Sequence, residues 1–142
     1  MSQTYDTPQD AEDALYDALE DGDLERVMNV WENSGDIACL LPMQPLVRGR
    51  EAVRAAYEPL LAQGRRIAIA VTHIHWYESD QLAFHLIEEQ AEPQGPQGGR
   101  PPMAIYATNI YRKGPHGWKL LVHQNAPTPP PPEMMAGIGP RG

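Results

Sequence analysis

A chain of 142 residues with 42% hydrophobic content is long enough for one domain with a real core and too apolar for wholesale disorder. Its net charge of −8 is uneven, because residues 1–36 hold 11 of the 19 acidic side chains and one of the 11 basic ones. No Lys/Arg cluster offsets that acidic front, no apolar run is long enough to span a bilayer, and the N-terminus lacks the basic and apolar regions of a secretory signal. The expectation is a cytoplasmic protein with neither nucleic-acid nor membrane partners.

Thr7-Pro8-Gln9-Asp10 reads as a helix start: Thr7 caps, Pro8 suits the first helical position, and Asp10 complements the helix dipole. Ala11, Ala14, Leu15, Ala18 and Leu19 then form one apolar stripe, which leaves Tyr16 off the stripe and the acidic residues on a solvated outer face. Gly22 stops this helix and Asp23 caps a second, with Leu24, Val27, Met28 and Trp31 on one side. After the turn at residues 33–36, the apolar run Ile37–Met43 is a strand that Pro42 and Pro45 confine to a sheet edge or a short stretch. The lone cysteine, Cys39, lies in that run and reads as a buried, inert thiol. A third helix follows Gly49, buries Val53, Ala56, Tyr57, Leu60 and Leu61, is kinked by Pro59 and ends at Gly64.

From Arg66 the period becomes extended. Ile67–Tyr77, Gln81–Ala91, Met103–Lys113 and Trp118–Asn125 are four strands rich in β-branched and aromatic residues. Tight turns at residues 78–80 and 114–117 join the outer pairs, and a Gly/Pro-rich loop at 92–102 joins the middle pair. Consecutive strands with such links make an antiparallel meander, and helices grouped at the front make the class α+β. One domain over residues 1–126 is expected, followed by a Pro-rich tail at 127–142 that reads as a plain tail or an arm laid on a partner subunit.

This order resembles the nuclear transport factor 2-like superfamily, and within it the SnoaL-like group. Three stretches carry the likeness: residues 18–27 (Ala-Leu-Glu-Asp-Gly-Asp-Leu-Glu-Arg-Val), residues 48–54 (Arg-Gly-Arg-Glu-Ala-Val-Arg) and residues 117–123 (Gly-Trp-Lys-Leu-Leu-Val-His). The resemblance implies a cone-shaped, cystatin-like α+β barrel: three N-terminal helices packed in a strongly curved antiparallel sheet around a mostly apolar pocket. It also implies a homodimer through the convex sheet face, for which Trp76, Tyr77 and Leu121 supply apolar surface. The fold hosts isomerases, dehydratases, cyclases and epoxide hydrolases as well as non-catalytic modules such as the association domain of calmodulin-dependent kinases, so it leaves the reaction open.

Chemistry-bearing residues gather in the extended half. His73 and His75 share one strand face by simple alternation, and His85 lies on the next strand, followed by Glu88 and Glu89. A His–carboxylate pair is the economical catalytic reading: His75 or His85 moves a proton, Glu88 or Glu89 orients it, and Tyr106 or Asn109 steadies developing negative charge. The plainer alternative places these histidines on a solvated face or at a subunit seam. Trp31 and Tyr57 stand where the family walls its pocket, and core packing, the favoured reading, explains both at no extra cost. The family's last strand carries its polar pocket residues where Val122 and Gln124 stand here, so the resemblance implies Gln124 toward the pocket and His123, by alternation, on the other side. Three histidines on adjoining strands raise a metal site, yet no His-x-x-x-His helix or tight carboxylate pair accompanies them, so no metal and no cofactor is expected. The expected ligand is small, apolar or of mixed polarity, bound by a cofactor-free isomerase, cyclase or lyase; the alternative is an assembly or accessory module without turnover.

Overall fold

The structure, a computed structural model, describes residues 3–91 and 104–128. The loop expected at 92–102 and all but the first two residues of the tail lie outside them. Helix α1 (Pro8–Asp21) begins as the sequence dictates, with the Thr7 side chain accepting the Asp10 N–H at 3.0 Å. It ends on Gly22 in the left-handed conformation, φ 68°, whose missing Cβ would otherwise lie 2.5 Å from the Arg65 carbonyl oxygen. Asp23 then caps α2 (Leu24–Val30) through the Arg26 N–H. Trp31 falls just past this helix in an extended conformation and bridges to Leu120.

Strands β1 (Ala38–Leu40) and β2 (Val47–Arg48) are short, and α3 (Arg50–Tyr57) follows them. The expected kink at Pro59 is instead the end of the helix. Pro59 has no N–H to continue the ladder, and the Leu60 and Leu61 amides turn back to the Tyr57 carbonyl. The meander comprises β3 (Ile69–Glu78), β4 (Leu82–Ala91), β5 (Ala104–Gly114) and β6 (Gly117–Pro127).

The six strands form one curled, unclosed sheet in the order β2-β1-β6-β5-β4-β3. All neighbours are antiparallel except β1 and β6, which run parallel. That parallel contact joins a strand placed before α3 to the last strand of the meander, which comes to lie beside it only after β2, β3, β4 and β5 have entered the same sheet. It also places β1 inside the sheet and leaves β2 at the edge.

Leu15, Ala18 and Leu19 of α1, Val27 and Val30 of α2, and Val53 and Tyr57 of α3 pack with Ile87, Tyr111 and Leu120 from the sheet's inner face. Burying a side chain of this size contributes about 1.5–3 kcal/mol, so this apolar set holds the helices in the trough. No helix of the described residues is long and apolar enough to cross a membrane.

Two β-bulges decide which polar residues join that core. In β3, His73 pairs with Ile87 but His75 pairs with Leu86, so Ile74 is an extra residue. In β6, Val122 pairs with Ile110 but Leu120 pairs with Tyr111, so Leu121 is extra. An extra residue inverts the alternation beyond it. His73 therefore stays on the inner face while His75 turns outward. On β6 the inner face changes from Trp118 and Leu120 to His123 and Asn125. Both departures correct the simple alternation expected from sequence, in which His73 and His75 shared a face and Gln124, not His123, pointed inward.

Candidate functional site

On the inner face, beneath α1, two hydrogen-bonded polar clusters lie side by side. Helix α1 supplies the centre of the first. Its buried face is wider than the apolar stripe, taking in Glu12 and Tyr16 one helical turn apart beside Ala11, Leu15 and Leu19. Glu12 is 1% exposed, although its place in an acidic run reads as solvated. Its two carboxylate oxygens divide between two histidines: Oε1 meets His73 Nε2 at 2.5 Å, and Oε2 meets His85 Nδ1 at 2.7 Å. Gln9 donates to Oε1 at 3.2 Å, and the Tyr111 hydroxyl donates to Oε2 at 3.4 Å. The imidazoles of His73 and His85 meet edge to face, with centroids 5.4 Å apart. Burial works to raise the Glu12 carboxyl, but the hydrogen bonds and charge of His85 and His73 outweigh it and hold the group below the usual carboxylate range.

The second cluster is a closed ring. Tyr16 donates its hydroxyl hydrogen to Glu89 Oε2 at 2.5 Å and accepts from Asn109 Nδ2 at 3.1 Å. Asn125 Nδ2 donates to Glu89 Oε1 at 2.7 Å. His123 closes the circuit, with Nδ1 2.5 Å from Asn109 Oδ1 and Nε2 2.8 Å from Asn125 Oδ1. With both asparagine amino groups committed elsewhere, their carbonyl oxygens face His123 from two sides, and the ring is satisfied when both imidazole nitrogens donate. Donation then runs by two routes from His123 to Glu89, so the buried carboxylate is offset without an Arg or Lys in the ring. Burial, followed by the Glu89 charge, pushes the Tyr16 hydroxyl well above its ordinary range, so it serves as a neutral donor. Tyr111 is raised likewise by burial and the charge of Glu12.

The expected site residues are divided by this geometry. His85 and Asn109 belong to the two clusters. Trp31 and Tyr57 are buried in the core, edge to face at 6.3 Å. Burial raises the Tyr57 hydroxyl, and it receives the Cys39 thiol at 3.9 Å. That thiol is itself pushed up to about 12 by burial, as an inert cysteine would be. His75 and Gln124 are exposed and face outward because of the bulges. Tyr106 also alternates to the outer face, and only its carbonyl joins the inner network, accepting from Asn125 at 3.2 Å. Glu89, not Glu88, is the inward carboxylate of its pair.

Glu12 and Tyr16 were hidden by their helix, and the signal that finds them is their four-residue spacing against the edge of the apolar stripe. The ring of His73, whose side chain is 32% exposed, leads from the first cluster toward solvent, with exposed Trp76 beside it at 6.2 Å.

A separate cavity of about 480 Å³ opens between the end of α2 and the β5–β6 turn, lined by Trp31, Arg50, Arg112, His116 and Lys119 among others. Its cations are already engaged. Arg50 donates to the Met28, Trp31 and Glu32 carbonyls, Lys119 to those of Gln3 and Asn29, and Arg112 pairs with Glu32 and Asp36. These bonds satisfy the carbonyl end of α2.

A curled, unclosed sheet with three helices in its trough, and polar groups gathered between them, defines the cone-shaped α+β class of the nuclear transport factor 2-like superfamily. Within it, the chain belongs to the SnoaL-like domain family, whose profile matches residues 9–129. A solved structure from Thiobacillus denitrificans, named for the association domain of calcium/calmodulin-dependent protein kinase type II, is 30% identical. It superposes with a TM-score of 0.80 over 89% of this chain and 99% of that one. A Streptomyces avermitilis protein of the NTF2-like family, named as a dehydratase, is 26% identical with a TM-score of 0.69, over 83% and 91% of the two chains. A protein from Nostoc punctiforme with a cystatin-like fold shares that fold alone, at 15% identity and a TM-score of 0.68 over 90% and 98%. No curated protein matches the chain significantly.

Proposed function

We propose that this chain binds a small molecule of mixed polarity against the inner face of its sheet and carries out proton-transfer chemistry there, of the isomerase, cyclase or lyase kind. The observation that carries this reading is a carboxylate buried to 1% exposure between two imidazoles, one of them reaching solvent. His73 is the group that meets the ligand. Glu12 orients its ring and offsets the charge it gains on taking a proton, while His85 and Tyr111 fix the carboxylate from behind. Such an arrangement suits removal of a proton beside a carbonyl group and its return elsewhere. The likeness to a protein named as a dehydratase supports the same class of chemistry.

The test is a panel of enolisable cyclic ketones and β-hydroxy acids added to histidine-¹⁵N-labelled protein, with deuterium exchange of the ketone α-hydrogens followed in D₂O. Saturable shifts at His73, with exchange accelerated by the wild type and abolished in His73→Ala, support the reading. Shifts confined to His75 or His116, or exchange that survives the substitution, contradict it.

A second reading, assembly without turnover, draws on the outer face. Tyr77 stacks on Phe84 at 5.9 Å, His75 lies against the same ring, and Ile74 and Leu82 are exposed nearby. A second copy packed there covers this patch, and the likeness to a protein named for an association domain points the same way. Solution mass tests this face: Tyr77→Ala with Phe84→Ala yields a smaller particle if it joins subunits.

A further inference from the structure

We propose that Glu12, His73 and His85 form a binding site for one divalent first-row transition-metal ion of the zinc, iron(II) and manganese class, with coordination positions open toward the ligand. One donor atom from each residue lies within 4.8 Å of the other two. An ion about 2.0–2.2 Å from each donor holds them about 3–3.6 Å apart. Bringing donors that lie within 4.8 Å to that spacing takes about 1 Å at most, and the Glu12 contacts of 2.5 and 2.7 Å widen slightly, changes within reach of side-chain torsions.

Three further features fit a metal better than a simple ion pair. First, the three donors come from three different elements, α1, β3 and β4, so the geometry is set by the fold and not by one flexible segment. The bulge at Ile74 fixes its shape, since it keeps His73 inward and sends His75 away. Second, among the described residues, Glu12 has no Lys or Arg partner. Its donors are two imidazoles, an amide and a phenol. A dication shared with two neutral imidazoles would supply the positive charge that the imidazoles otherwise give this buried carboxylate, without desolvating an ammonium or guanidinium. Third, the site has outer support and an entry path. Gln9 and Tyr111 hold the carboxylate oxygens, as groups around metal-bound carboxylates do. The partly exposed ring of His73 leaves one side open, which is the pattern of a reactive site and not of a closed structural one. Two imidazoles and one carboxylate suit zinc, iron(II) and manganese, and the set lacks the thiolates of a copper(I) or zinc–sulfur site.

The proposal rests on the proton-transfer reading only for where the reactive end lies. A bound ion there polarises a ligand oxygen or acidifies a water, and His73 then holds metal instead of moving the proton itself. It also revises the sequence-based expectation of no metal.

The experiment uses the full, untagged chain, stripped with chelator and titrated with Zn²⁺, and separately with Co²⁺ to read coordination from its visible absorption. One saturable equivalent, weakened at least about 100-fold in His73→Ala and His85→Ala but unchanged in His75→Ala, is the expected result. Should His85→Ala fail to fold, His73→Ala carries the test, because its side chain is already partly in solvent. Absence of a saturable equivalent overturns the proposal, as does an equivalent that survives His73→Ala or disappears in His75→Ala. Deuterium exchange of the ketones separates the two ideas: exchange by metal-free protein with no saturable equivalent of metal overturns the ion and leaves the acid–base reading, whereas a saturable equivalent without exchange does the reverse.

Discussion

Replacing Tyr16 by Phe removes one oxygen from the closed ring on the inner face and changes nothing else in volume. The hydroxyl makes two bonds, a 2.5 Å donation to Glu89 and a 3.1 Å acceptance from Asn109. Losing a hydrogen bond to a charged group costs about 1.5–3 kcal/mol, and leaving the Asn109 amino group unpaired adds about 1 kcal/mol. The total is about 2.5–4 kcal/mol. It acts at close to full strength because Tyr16, Asn109 and Glu89 are all buried. A domain of this size has a stability of about 5–15 kcal/mol, so the variant still folds. Urea denaturation should show a lower midpoint with an unchanged slope, and Tm should fall by roughly 6–15 °C. The circular dichroism spectrum at low temperature should match the wild type. A loss below about 0.5 kcal/mol, the range of ordinary surface substitutions, would refute the ring.

Other perturbations follow from the same bonds. Glu12→Ala leaves two imidazoles without their shared acceptor and should cost about 3–5 kcal/mol by denaturant titration, far above any other acidic residue of α1. Because the Glu12 carboxyl is held below its ordinary value, its contribution is complete above that value of 4.5 and disappears as pH falls through the folded one. Melting curves between neutral and acid pH should therefore be steeper at the acid end for the wild type than for Glu12→Gln. Gly22→Ala must hold an L-residue at φ 68° with its Cβ 2.5 Å from the Arg65 oxygen, so a loss of about 2 kcal/mol or more is expected in the same titration. Truncation after residue 126 leaves the solution mass in whole subunits unchanged if the outer sheet face, and not the tail, joins copies.

The helices and the meander were legible because local physics writes them directly. Thr7 and Asp23 cap, Gly22 terminates, and the period changes from 3.6 to 2 after Arg66. His85 and Asn109 were reachable for the same reason, since β4 and the described part of β5 alternate without interruption between their paired residues. The failures share one cause. Ile74 and Leu121 each add a residue to one strand, and no Gly or Pro marks either spot, so a strict two-residue period misplaces His75, His123 and Gln124 together. Glu12 and Tyr16 were obscured differently. A buried glutamate is rare enough that an acidic helix reads as solvated, and only the histidines that reach it from 61 and 73 residues away make burial tolerable. Those partners are visible only when the sheet is assembled. Tyr106 illustrates the limit of residue type alone: its ring suited the pocket, but its parity did not.

The most direct measurement is a pair of imidazole ¹H–¹⁵N spectra, from wild-type protein and Glu12→Gln, with all five histidines assigned. If the trough brings α1, β3 and β4 together as described, the substitution moves the ring signals of His73 and His85 strongly and leaves those of His75 and His116 in place. Unmoved His73 and His85 signals, or equal movement at His75, would mean that the carboxylate is not where these bonds place it.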